Sequence, residues 1–131
     1  MSDAPPLSVI VNELRQLINK RSSADFSIYY DDPTLFGDLQ YIRSKTRAAW
    51  EKKTQENYKK NDHQLDAKDE ITRPDLLKGE LEYALDRCEE ALDKVRSVNS
   101  DQYNVESMLE RYKQIIEEHH EAAEKGKIIY S

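Results

Sequence analysis

From Leu77 to Val98, apolar or small residues recur at steps of four and three without a break: Leu77, Leu81, Ala84, Cys88, Ala91, Val95 and Val98. That spacing lays one continuous stripe along an α-helix, the pattern of a helix-to-helix seam. Leu85 and Leu92 widen the stripe, so this helix offers a flank on which the amino-terminal helices or a partner must dock. Pro74 suits the first turn of a helix, where no backbone donor is needed. Thr72 and Asp75 stand at the spacing of a capping box. A helix over about 74–98 is predicted. Its length would be roughly 37 Å at the usual rise per residue.

The polar turn Asn99-Ser100-Asp101 is too short to do anything but reverse the chain. Beyond it Val105, Met108, Leu109, Tyr112, Ile115, Ile116, His119 and Ala122 or Ala123 form a second stripe, and Gly126 supplies a stop signal. The pair 74–98 and 102–125 therefore reads as an antiparallel helical hairpin.

Upstream, Leu7, Ile10, Val11, Leu14, Leu17 and Ile18 predict a helix over about 5–21, with Pro5 and Pro6 in its first turn and Ser22 to Asp25 ending it. Phe26, Ile28, Tyr29 and Tyr30 read as an aromatic connector pinned to the bundle by its rings, since a lone extended segment would have no strand to pair with. Asp32-Pro33 then starts a helix over about 33–58 carrying Leu35, Leu39, Ile42, Thr46 and Ala49, with Phe36 and Trp50 at the flank. Past residue 50 its apolar face disappears. Between 51 and 70 only Tyr58, Leu65 and Ala67 interrupt the polar side chains, the signature of a solvated helical extension or a mobile linker. The sum is a single all-α domain over 1–131, resembling a four-helix bundle.

Composition tightens this picture in one respect. Leu, Ile, Val and Phe together number 28 of 131 residues. That is just above the ~20% below which chains tend to stay disordered, so order depends on good placement or on surface supplied by a partner. The formal charge of −6 argues against the whole molecule binding nucleic acid or an anionic membrane. Charge is uneven, however: from Arg43 to Lys60 there are seven basic residues against two acids, interleaved with Trp50 and Tyr58. Arg43, Arg47, Trp50 and Lys53 are thus the candidates for a phosphate-binding face, with basic groups neutralising phosphates and rings stacking on bases. The competing expectation is self-complementation, because the 74–98 helix presents Glu80, Glu82, Asp86, Glu89, Glu90 and Asp93.

Catalytic and cofactor signatures are missing. Three glycines, at 37, 79 and 126, cannot build a phosphate-cradling loop or a dinucleotide fingerprint. No nucleophile, base and orienting acid stand at a recognised spacing. Carboxylate-bridged metal sites in four-helix bundles use Glu-x-x-His on two helices; Glu117 and His120 provide one copy and no second follows. The string Asp75-Leu76-Leu77-Lys78-Gly79 resembles the motif of helical phosphotransfer domains but has aspartate where the phosphorylated histidine would stand. Gly79, Ala84 and Ala91 resemble the second helix of a tetratricopeptide repeat; Pro74 interrupts its first helix, and a single unit cannot bury its own faces. His119 lies on the seam side of its helix as an interface or core-edge residue, and Cys88, in mid-seam, should pack as an inert small hydrophobe.

The function expected from these features is non-enzymatic: a helical adaptor or assembly subunit acting through helix packing. Its expected partners are other protein subunits or further copies of itself, with no cofactor, metal or small-molecule substrate. The apolar Ile128-Ile129-Tyr130 run, Leu85 and Leu92 are the candidate partner contacts. The alternative is nucleic-acid or anionic-membrane binding through the basic-aromatic face. A lone cysteine, no leader-like start and no long apolar run lead us to expect the cytosol or nucleus.

Overall fold

The computed structural model describes residues 5–30, 32, 34–63, 74–98 and 100–126, with side chains described outside 51–63 and 74–76. Five helices follow in order: α1 (Leu7–Lys20), α2 (Ser23–Tyr30), α3 (Thr34–His63), α4 (Pro74–Arg96) and α5 (Val105–Glu124). Among the described residues there is no strand. The fold is all-α, as the periodicity predicts. Helix α4 is flanked by α3 on one side and α5 on the other, and α1 closes the bundle against α3 and, more lightly, α5.

Cross-helix ion pairs and one hydrogen bond give the directions. Asp38 meets Arg87 while Lys45 meets Glu80, so α3 and α4 run antiparallel. Arg96 meets Glu106 while Lys78 meets Glu124, so α4 and α5 do too. Glu13 meets Arg111 and Pro5 meets His119, which sets α1 against α5. The long helices are therefore an up-down-up-down bundle, the arrangement that short connections favour.

Local chemistry explains the boundaries. Helix α1 starts at Leu7, two residues later than predicted. Pro6 is extended (ψ 153°) and serves as the N-cap, so both prolines precede the first turn instead of filling it. The second departure is α2. Its start is a reciprocal capping box: the Ser22 hydroxyl accepts from the Asp25 amide at 3.2 Å, and the Asp25 carboxylate accepts from the Ser22 amide at 2.9 Å. Ser22 to Asp25 thus ends one helix and launches the next, and the segment read as an aromatic connector is a helical turn pair. Asp32 caps α3 as predicted, accepting from the Thr34 amide (2.9 Å) and hydroxyl (2.6 Å). Asp101 caps α5, accepting from Val105 and Glu106 amides at 2.8 and 2.7 Å. Gly126 (φ 74°) stands in the left-handed region that terminates helices. Helix α3 runs on to residue 63, beyond the predicted 58; the 64–70 part of the predicted linker, Thr72 of the predicted capping box, and Ile128 to Tyr130 lie outside the described residues.

The core is continuous. Leu7, Ile10 and Leu14 of α1, Leu35, Leu39, Ile42 and Ala49 of α3, the α4 seam and Val105, Leu109, Tyr112 and Ile116 of α5 pack into one cluster. Helix α2 plugs one end with rings: Phe26 sits 5.4 Å from Tyr30 and 5.3 Å from both Phe36 and Tyr103. Such offset and tilted pairs add to their area burial.

Two helix-interior glycines are not packing devices. A Cβ built on Gly37 or Gly79 meets nothing within 4 Å. The tetratricopeptide-like reading of Gly79 as a close-approach residue therefore has no structural counterpart. Gly37→Ala is expected to stabilise the fold by up to about 1 kcal/mol through helix propensity, read as a higher urea midpoint at unchanged slope.

Candidate interaction surface

The seam residues Leu77, Leu81, Ala84, Cys88, Ala91 and Val95 are buried, and Val98, just past the end of α4, packs partly against the core. Leu92 is also buried, at 2% exposure, which removes it from the accessible surface; Leu85 is half-buried against the cluster. The reason is geometric. Helix α4 is the central element, covered by helices on two sides, so positions that widen its stripe contribute to the core.

The basic run of α3 is partly drawn into the fold. Arg43 is half-buried, with its Nε enclosed and lacking a hydrogen-bond partner. Lys45 reaches Glu80 of α4 at 3.5 Å and lies over the Tyr41 and Tyr83 rings. Arg47 is exposed, Trp50 packs partly on the core, and the Lys53 side chain lies outside the described residues.

Self-complementation between α3 and α4 centres on a residue not singled out from the sequence, Asp38. Its side chain is 4% exposed and carries two cations from α4: Arg87 Nη1 donates at 3.2 Å and Lys94 Nζ at 2.6 Å. Lys94 also donates to the Thr34 hydroxyl at 2.6 Å. The Arg87 guanidinium lies over the Tyr41 ring at 4.1 Å. Arg87 and Lys94 are seven residues apart on one face, so both reach a single carboxylate between α3 and α4. A sequence signal existed, a lone acid one turn after Thr34 on the flank of an apolar stripe, but its partners lie some fifty residues away.

His119 and His120 take structural roles. His119 is buried, and its Nε2 lies 2.8 Å from the Pro5 carbonyl oxygen. A carbonyl can only accept, so Nε2 carries the proton and donates. His120 turns away from Glu117 to contact Glu82 of α4 at 2.9 Å and, more loosely, Glu124 at 3.8 Å. Its hydrogen bond holds the exposed Glu82 carboxyl below its ordinary range. Among the described residues no group of three or more His, Cys, Asp or Glu side chains is placed to hold a metal, and no helix is long and apolar enough to cross a membrane.

Cys88 behaves as its seam position implies: burial pushes its thiol up to about 12. The native protein is therefore expected to resist iodoacetamide at neutral pH and to be alkylated at Cys88 on unfolding in urea, read by mass spectrometry. Rapid labelling of the native fold would contradict the burial.

Three large apolar side chains are exposed among the described residues: Tyr83 of α4, whose ring lies under Lys45, and two neighbours on α2 at one end of the bundle. Ile28 is 73% exposed and Tyr29 45%. They wall a groove of about 580 Å³ whose other lining includes Asp32, Lys94, Ser97 and Val98. Tyr29 is held edge-on to Tyr103 at 5.4 Å, so this face is set in place from beneath. No family model, curated protein or solved structure matches the chain at a significant level.

Proposed function

We propose that the chain is a non-enzymatic helical adaptor or assembly subunit, working in the cytosol or nucleus and joining other protein chains by packing. One observation carries this reading: a bundle that buries its seams leaves the two apolar side chains Ile28 and Tyr29 outward on α2, at the lip of a groove. Helix α2 is apolar on both faces, a pattern normally found where both faces are covered. Its inner face is covered by Phe36 and Tyr103; its outer face awaits a partner. The chemistry displayed there, an aliphatic side chain beside a tyrosine with a polar rim, is that of a protein contact centre.

Phosphate binding through Arg43, Arg47, Trp50 and Lys53 draws less support, because Arg43 is half-buried and the neighbouring Lys45 is engaged with Glu80. The test is affinity capture of the full chain followed by cross-linking mass spectrometry. Stoichiometric protein partners cross-linked to the 21–32 region are expected, and Ile28→Asp should lose them. Recovery dominated by nucleic acid, or an identical partner set with Ile28→Asp, would overturn the proposal.

A further inference from the structure

The groove beside α2 lies at the α4 C-terminal end of the bundle, lined by Lys94, Ser97 and Val98. Its apolar wall is Ile28 and Tyr29, and Asp32 adds a carboxylate. Hydrogen bonds from Thr34 hold that carboxyl below its ordinary range, so it is charged at neutral pH. Lys94 of the same lining is engaged by Asp38 and the Thr34 hydroxyl, so an occupant that combines large apolar side chains with a cation still finds Asp32 to pair with. Outside the described residues the sequence contains one run of three large apolar side chains, Ile128-Ile129-Tyr130, and Lys127 directly precedes it.

Reach decides which molecule supplies that run. Residue 127 follows Gly126, at the far end of α5, where Glu124 pairs with Lys78 near the start of α4. The twenty residues of α5 separate that end from the groove. They span roughly 30 Å, whereas four extended residues span roughly 14 Å. The segment cannot fill the groove of its own chain.

We propose that the groove beside α2 receives Lys127 to Tyr130 of a second copy, with Ile128 and Tyr130 against Ile28 and Tyr29 and Lys127 facing Asp32. Two bundles lying antiparallel bring each donor segment to the other's groove, because the two features occupy opposite ends of one molecule. The two contacts are then related by a two-fold axis and the assembly closes as a dimer. Each contact makes the other intramolecular, so individually weak contacts hold together. This rests on the assembly-subunit reading and specifies it as self-assembly.

The test is sedimentation velocity on the full chain across a concentration series, beside Ile28→Asp and the double variant Ile128→Asp/Ile129→Asp. The wild type is expected to reach the mass of a dimer and stop there, while both variants stay monomeric. A labelled Lys-Ile-Ile-Tyr-Ser peptide should bind the double variant, whose groove is intact, and bind Ile28→Asp at least about tenfold more weakly. Ile28 is solvent-facing, so folding should persist; Ile28→Ser replaces it should circular dichroism show otherwise. Dimerisation of both variants to the wild-type extent would overturn the exchange while leaving assembly through another face. A wild type that is monomeric throughout, or one that grows into open chains, would also overturn it. In those cases the partner-capture experiment judges the adaptor reading separately.

Discussion

Replacing both Arg87 and Lys94 with methionine is expected to destabilise the protein by about 3–5 kcal/mol, more than removing the acid they share. The asymmetry follows from burial. The Asp38 side chain is 4% exposed, whereas Arg87 and Lys94 are 34% and 28% exposed. Without its cations the carboxylate is left charged inside the α3–α4 interface. Without the carboxylate, the two cations can turn towards water. Asp38→Ala is therefore expected to cost only about 1–2 kcal/mol, since solvent screens what the partly exposed cations lose. Urea denaturation of the three proteins checks the order. Equal losses, or a larger loss for Asp38→Ala, would show that the ion cluster contributes through packing and not through charge.

The second large effect is expected at Asp101, whose side chain performs two tasks. It caps α5 through the Val105 and Glu106 amides, and its Oδ1 accepts the Tyr30 hydroxyl at 2.5 Å. Tyr30 in turn accepts the Tyr103 amide at 2.8 Å, so one network ties α2 to the α4–α5 turn. Asp101→Ala should cost about 2–3 kcal/mol, about one from the lost cap and the rest from a buried hydroxyl left without its acceptor. Tyr30→Phe alone should cost about 1 kcal/mol, and the double variant less than the sum of the two. An additive cycle would mean that the hydroxyl finds another acceptor.

The same network sets an alkaline limit. Burial first, and then the bond to Asp101, raise the Tyr30 hydroxyl above its ordinary value; burial and Glu13 do the same for Tyr112. Groups raised by folding hold their protons more tightly in the native state than in the unfolded one. Their contribution is complete below the unfolded values, about 8.5 for cysteine and 10 for tyrosine. It is lost as pH rises past them, so stability should begin to fall near pH 9 with Cys88 and fall more steeply above 10.

Much of the scaffold was readable from residue order, because the burial of an amphipathic helix depends on spacing within one segment. The stripe Leu77 to Val95 is buried along its length, the Asp32 and Asp101 caps act where short polar signals stood, and the chain reverses between Arg96 and Val105, a longer link than the predicted 99–101 turn. Helix α2 departs from the expected connector for a physical reason. Alternating Phe26 and Ile28 mimic an extended segment, while the deciding signal was the Ser22–Asp25 capping pair, with aspartate in place of the usual longer acid. Leu92, read as a docking position for the amino-terminal helices or a partner, is covered within the bundle, a choice that a single helix cannot make because it does not reveal how many neighbours it has.

The sequence by itself determined the helical class and the hairpin, since both depend on residues close together in the chain. Only the tertiary structure decided which side chains share a charge, which basic residues are already engaged and which apolar ones remain outside. Asp38 meets Arg87 and Lys94 across 49 and 56 residues, and Tyr30 meets Asp101 across 71. Pairings at that separation follow from helix register and packing order, and so does the exposure of Ile28 and Tyr29 beside a buried Phe26 and Tyr30 on one short helix.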